Sequence, residues 1–107
     1  MSKIKDEKTV SFSEIIEGEI PVLVDFYADW CAPCKMMPPI LKELKSMLGE
    51  DVIILKIDAE KNPAAAIKYQ VRGVPTLILF QFGKILWQQS GVLQANQLKQ
   101  IIESKKI

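Results

Sequence analysis

The sequence contains no histidine and only two cysteines, Cys31 and Cys34, among its 107 residues. Without an imidazole there is no histidine base, so a Cys–His hydrolase site is excluded. Two thiolates from one chain also fall short of the four ligands that a structural zinc ion takes. The chemistry left to these cysteines is that of the two sulfurs themselves.

A strong charge of one sign and long apolar runs are also missing. The 14 basic and 13 acidic side chains leave a net charge of +1, which favours neither a nucleic-acid nor an anionic-membrane partner. No apolar run approaches the roughly 20 residues that span a bilayer. The charged first residues lack the apolar core of a signal peptide. We therefore expect a cytoplasmic protein; a periplasmic or secreted location would require that a leader had been removed.

The length and composition predict one domain over residues 1–107. Apolar residues make up 49% of the chain, which is typical of a globular protein with its own core. Such a core needs neither a disulfide nor a metal to hold it together, so the cysteines are free for chemistry. We expect no cofactor and no metal.

Hydrophobic periodicity divides the chain into alternating helices and strands. Ser13 is a possible cap for the first helix, Asn62 and Pro63 mark a later helix start, and Pro38 and Pro39 predict a kink in the longest helix. Residues 3–8 are polar and predict either a frayed segment or a short edge strand. The predicted helices are 11–17, 32–48, 62–69 and 95–104, and the predicted strands are 22–27, 52–58, 76–80 and 84–88.

The order of these elements predicts an α/β fold. The first two strands are joined through a helix, so they should be parallel with a right-handed crossover. Both are near-continuous apolar runs, which are typical of strands that are buried on both faces of a sheet. The last two strands should form an antiparallel hairpin with its turn at Gly83. We therefore expect a three-layer α/β/α sandwich with a central mixed β-sheet.

The segment Trp30-Cys31-Ala32-Pro33-Cys34 lies where the first strand ends and the long helix begins. Residues three apart on a helix share a face about 5–6 Å apart, a separation that a disulfide tolerates. Cys31, at or just before the first turn, should have a lowered pKa because unpaired helix N–H groups stabilise a thiolate. Cys34, one turn inside, should be more buried and stay a thiol.

Two other interpretations of the cysteine pair stay open at this point. The pair could be an inert local disulfide or two buried thiols. Two such pairs from separate chains could also clamp a zinc ion or an iron–sulfur cluster in a dimer.

Asp25 and Pro75 are the other outliers. Asp25 interrupts an apolar strand, and a buried carboxyl with a raised pKa could carry the proton of Cys34. It could equally be a strand-end carboxylate that faces solvent or bonds locally. Pro75 precedes the third strand, where a proline cannot donate to the ladder.

These residues together resemble the thioredoxin family, and the resemblance extends over about residues 11–102. The motifs that carry it follow in the family's order and spacing. They are Val24-Asp25-Phe26-Tyr27-Ala28-Asp29-Trp30-Cys31-Ala32-Pro33-Cys34-Lys35-Met36, Lys56-Ile57-Asp58, Asn62-Pro63, Tyr69, Val71-Arg72-Gly73-Val74-Pro75-Thr76, Phe82-Gly83-Lys84 and Gly91.

The resemblance implies a thioredoxin fold and a protein-disulfide reductase that maintains cell redox homeostasis. Cys31 would attack, Cys34 would resolve, Asp25 would carry the proton, and Pro75 would be cis and face the disulfide. The implied partners are disulfide-containing proteins and an NADPH-dependent thioredoxin reductase, and the chain would be a monomer. The implied substrate-binding residues are Trp30, Ala32, Pro33, Gly73, Val74, Pro75, Gly91 and Val92.

Two positions depart from the family pattern. Ala32 replaces the usual glycine between the cysteines, which could shift the redox poise. The family's lysine near the buried aspartate corresponds to Ile54, and Lys56, two residues on along the same strand face, offers a weaker substitute.

Two rival functions follow from the same motif. A redox-silent binding subunit would lack a cysteine or Pro75, and this chain has both. A thiol oxidase or isomerase is disfavoured because no histidine lies between the cysteines and no leader is present.

Overall fold

The computed structural model describes residues 11–107, so the expectation for residues 3–8 lies outside the described part of the chain. Within it, four helices and four strands alternate. Short 3₁₀ helices at Pro33–Met36 and Gly49–Asp51 flank the longest helix. The elements are α1 (Phe12–Ile16), β1 (Val22–Tyr27), α2 (Met37–Leu48), β2 (Ile53–Asp58), α3 (Pro63–Lys68), β3 (Thr76–Gln81), β4 (Lys84–Ser90) and α4 (Ala95–Lys105).

The four strands form one mixed sheet in the order β2-β1-β3-β4. β1 and β2 run parallel, with Asp25 beside Lys56. β3 is antiparallel to both β1 and β4. The predicted parallel pair and the predicted hairpin are therefore confirmed, and β1 lies inside the sheet with a neighbour on each side.

The alternation of side chains along β1 supplies the two halves of the core. Leu23 points to the face covered by α2 and α4, where it joins Leu44 and Leu98. Val22, Val24 and Phe26 point to the opposite face and pack with residues of α1 and of the segment around α3. Helices thus cover both faces, which confirms the three-layer sandwich.

The interruption in the long helical run comes earlier than Pro38 and Pro39. A 3₁₀ helix occupies Pro33–Met36, and α2 begins at Met37. The two prolines therefore lie in the first turn of α2, where their missing N–H groups would have no partner in the helix. The kink predicted at the prolines is replaced by a junction just before them.

Three further local predictions need correction. β2 is only partly buried, because within residues 11–107 it lies at the edge of the sheet. The cap of α1 is Ser11 rather than Ser13: its side chain accepts the N–H of Glu14, and the Glu14 carboxylate accepts the N–H of Ser11. Asn62 begins α3 without a side-chain cap; its amide instead donates to the carbonyl of Asp58.

The β3–β4 hairpin turns through Phe82 and Gly83, whose φ angles are 54° and 76°. Two successive positive values match the twist of a hairpin, and glycine adopts them without a Cβ clash. The turn is held by two backbone bonds, from Phe82 N–H to Gly18 O and from Gly83 N–H to Ile16 O. The hairpin tip is thereby fixed to the end of α1.

No helix in residues 11–107 has the length and hydropathy needed to cross a membrane.

Replacing Ser11 by alanine removes the side-chain acceptor of the α1 cap. We expect the free energy of unfolding to fall by about 1 kcal/mol. Ser13→Ala is the matched control and should change that free energy by less than about 0.5 kcal/mol. Urea titrations followed by circular dichroism measure both values, and a larger loss in Ser13→Ala would contradict the assignment of the cap.

Candidate active site

Cys31 and Cys34 are joined by a disulfide at the carboxyl end of β1. Cys31 lies just before the 3₁₀ helix and Cys34 lies inside it, as the spacing predicts. Their Cα atoms are 5.3 Å apart, within the range that a disulfide spans without backbone movement. The arrangement allows the bond to open and close on a fixed backbone.

A main-chain donor is directed at the first sulfur. The N–H of Cys34 donates to Sγ of Cys31 at 3.1 Å. Pro33, the first residue of the 3₁₀ helix, has no N–H to offer. Because a hydrogen bond to the charged form stabilises it, this donor favours a thiolate at Cys31 when the disulfide is reduced.

The two cysteines are equally buried, with exposed fractions of 3% for Cys31 and 4% for Cys34. The expectation that Cys34 is the more buried of the two is therefore wrong for this oxidised form. The bond between the sulfurs holds both side chains in one small cluster with Ala28, against Tyr27 and Val74.

The loop before β3 faces the disulfide. The Val74–Pro75 peptide bond is cis, as the resemblance implies, and the carbonyl oxygen of Val74 lies 3.6 Å from Sγ of Cys31. The carbonyl of Pro75 accepts the N–H of Gly91. Gly91 has a φ of +104°, a conformation that favours glycine. These contacts bring three of the predicted substrate-binding residues to one side of the sulfurs.

The remaining predicted substrate-binding residues lie in three places. Trp30 and Gly73 line a cleft of about 220 Å³ together with Val74, and Ala32 and Pro33 are exposed beside the disulfide. Val92 follows Gly91, but its side chain packs partly buried against the core on the α2–α4 face. The structure thus collects most of the predicted patch around Cys31 and turns Val92 toward the core.

Glu60 is a site residue that the sequence analysis missed. The indole N–H of Trp30 donates to its carboxylate at 2.6 Å, although the Trp30 side chain is 68% exposed. Glu60 is placed by the turn after β2, where Asp58 accepts the N–H groups of Glu60 and Lys61. One signal was available: both residues follow parallel neighbouring strands, whose carboxyl ends meet at one edge of the sheet.

Asp25 is fully buried in the middle of the sheet. Neither carboxyl oxygen has a hydrogen-bond partner among the described residues. Burial raises the pKa of Asp25 from 3.8 to about 6, and the positive charge of Lys56 opposes the rise. The interpretation of Asp25 as a solvent-facing or locally bonded carboxylate is therefore wrong.

The strand register places Lys56, the substitute that the sequence offers for the family's lysine, directly beside Asp25. Ile54 is the register partner of Leu23, whereas Lys56 is the register partner of Asp25. Paired positions on neighbouring strands point to the same face. Lys56 therefore occupies the place of the cation beside Asp25. Lys56 and Cys34 also line one cleft of about 190 Å³, so the cysteine and the lysine share a path to solvent.

The family model for thioredoxin matches residues 3–104. The chain belongs to the thioredoxin family. A chloroplastic thioredoxin Y of Oryza sativa subsp. japonica is 48% identical over 101 residues, which are 94% of this chain and 60% of the relative. A thioredoxin-like protein of Synechocystis is 47% identical over 94 residues, covering 87% of this chain and 90% of the relative.

Solved structures agree with the thioredoxin assignment. A mutant thioredoxin of Halobacterium salinarum superposes with a TM-score of 0.80 at 40% identity, covering 89% of this chain and 82% of that one. The chain spans 60% and 57% of the length of the thioredoxin Y proteins of rice and of Arabidopsis thaliana.

The buried carboxyl makes a testable contribution to stability. The pKa of Asp25 is higher in the folded state, so folding binds its proton more tightly. The associated stability is therefore present below about pH 4 and is lost as the pH rises through about 6. Between about pH 4 and about pH 8, the oxidised wild type should lose about 2 kcal/mol of unfolding free energy that Asp25→Asn retains.

Urea titrations of both proteins across this pH range measure the difference. Asp29→Asn, which changes an exposed aspartate, controls for the general effect of removing one negative charge. Parallel pH profiles for wild type and Asp25→Asn would contradict the raised pKa.

Proposed function

We propose that this chain is a thioredoxin-type protein-disulfide reductase that exchanges its dithiol with disulfides in other proteins and so maintains redox homeostasis. The observation that supports it most is the Cys31–Cys34 bond at the carboxyl edge of the sheet, with the N–H of Cys34 directed at the first sulfur. An inert structural disulfide would need no such donor.

The reaction begins from the reduced form. The Cys31 thiolate attacks one sulfur of a substrate disulfide and forms a mixed disulfide, and the other substrate sulfur leaves as a thiolate. The Cys34 thiol then loses its proton and attacks Sγ of Cys31. The second substrate thiolate leaves, and Cys31 and Cys34 are bonded. Two electrons have passed from the dithiol to the substrate.

Asp25 accepts the proton of Cys34, directly or through water. With a pKa of about 6, its carboxyl is mostly ionised near neutral pH, yet it holds a proton more readily than an exposed aspartate does. Its unpartnered oxygens are free for that role. Lys56 keeps the carboxylate form accessible by opposing the effect of burial.

The substrate lies across the surface around Cys31. Trp30, Gly73 and Val74 offer apolar contact, and the Val74 carbonyl is a main-chain acceptor close to the sulfur; Pro75 itself is buried beside them in the chain. Main-chain recognition of an extended segment is tolerant of substrate sequence, which suits a reductase that serves many proteins.

The partner that restores the dithiol is a thioredoxin reductase, and we propose that it draws on NADPH. The flavin and nicotinamide belong to that enzyme, so this chain requires no cofactor of its own. A reductase of this kind works in a reducing compartment, for which we propose the cytoplasm, and the chain acts as a monomer.

Cysteine variants test the two roles. With dithiothreitol as electron donor, the wild type should accelerate the reduction of insulin disulfides, and Cys31→Ser should abolish the acceleration because the nucleophile is gone. Cys34→Ser should accumulate a mixed disulfide with substrate, visible by mass spectrometry, because nothing resolves it. Unchanged turnover in Cys31→Ser would refute the assignment.

The reduction potential separates a reductant from an oxidant. No histidine lies between the cysteines to stabilise the thiolate further, so we expect a potential more negative than about −220 mV, the upper end of the cytosolic glutathione range. Equilibration with glutathione buffers measures it. A value near −120 mV, about that of a strong disulfide oxidant, would assign the chain to oxidative folding instead.

A further inference from the structure

A groove of about 430 Å³ runs between helix α2 and strand β2, outside the predicted substrate patch. Leu41 contributes from the helix and Ile53 and Ile54 from the strand, with Pro38 at one end. The side chains of Leu41 and Ile54 form an apolar floor, whereas the side chain of Ile53 packs on the opposite face of the sheet. Within residues 11–107, β2 is an edge strand, so no further strand of the described sheet covers this side.

The rim of the groove is cationic. Lys42, Lys45 and Lys56 line it, and no acidic side chain among residues 11–107 does. None of the three forms a salt bridge within residues 11–107, where Lys99–Glu103 is the pair that the structure holds. Lys45 donates to the carbonyl of Val52 at 2.6 Å, which holds its ammonium group at the β2 side. Within residues 11–107, the charges of Lys42 and Lys45 have no acidic partner, whereas Lys56 is the register partner of Asp25.

The groove reaches the active site from the side away from the substrate patch. Pro38 and Lys56 line both the groove and the cleft that contains Cys34. β2 and β3 lie on opposite sides of β1, whereas Val74 and Pro75 immediately precede β3. A molecule in the groove can therefore extend toward Cys34 while a substrate occupies the surface beside Val74.

We propose that this groove is a docking site for an acidic, amphipathic segment of a partner protein. Apolar side chains of the segment would cover the α2–β2 floor, and its carboxylates would meet Lys42 and Lys45. Charge complementarity is the reason for choosing this occupant, because an apolar floor alone would accept a neutral segment equally well. The proposal goes beyond disulfide exchange and holds whether or not the cysteines turn over.

A binding measurement on the full-length oxidised protein tests the proposal without any redox step. The probe is a fluorescein-labelled peptide of about four helical turns with leucines on one face and glutamates beside them. We expect its fluorescence anisotropy to report saturable binding. Lys42→Gln and Lys45→Gln should each weaken that binding about threefold, the size expected for one exposed ion pair.

The matched control is Lys105→Gln, which removes an exposed lysine at the end of α4 and should leave the affinity unchanged. Lys45 also bonds the backbone, so Lys42→Gln keeps the test valid if Lys45→Gln fails to fold. Raising the salt concentration should weaken binding, because exposed charges are screened. The insulin assay on the same variants separates the two proposals: loss of peptide binding with normal turnover supports a distinct docking site.

Several outcomes would overturn the proposal. A peptide with glutamines in place of the glutamates that binds equally well would show that charge does not select the ligand. Lysine-dependent binding to phosphatidylglycerol vesicles without peptide binding would make the groove a membrane contact. Concentration-dependent dimerisation in analytical ultracentrifugation, abolished by Lys42→Gln, would assign the groove to a second copy of this chain.

Discussion

The burial of strand β1 on both faces is the constraint on which the site depends. β1 lies between β2 and β3, with helices on both faces of the sheet. The end of β1 therefore fixes the position of the cysteine segment relative to the sheet. The same burial removes water from Asp25 and raises the pKa of its carboxyl. The position of the sulfurs and the raised pKa of Asp25 therefore have one structural origin.

One edge of the sheet brings together site residues that are far apart in the sequence. The carboxyl ends of β1 and β2 bring Trp30 to Glu60, and the start of β3 brings Val74 to Cys31. These partners are 30 and 43 residues apart in sequence. Their contacts depend on the order of the strands, so the redox segment obtains these neighbours from two other parts of the chain.

Most of the fold could be predicted from the sequence because its strands are short apolar runs and its helices show clear periodicity. The Cys-X-X-Cys spacing and the family motifs located the redox pair and Pro75. Local chemistry was less predictable. Ser11 and Ser13 are equivalent by residue type, and only the backbone at the start of α1 selects the cap. Lys56 was expected to be only a weak substitute for the family's lysine, because strand register is set by pairing between strands; the register places it directly beside Asp25.

The near-complete burial of both cysteines limits how another sulfur can approach their disulfide. Because only 3% of Cys31 and 4% of Cys34 is exposed, the sulfur of a small thiol or of a protein has a narrow range of directions from which to attack the bond. Access is thus decided by surface shape. The rate at which the oxidised protein exchanges with a given thiol therefore depends on how well that thiol fits the opening.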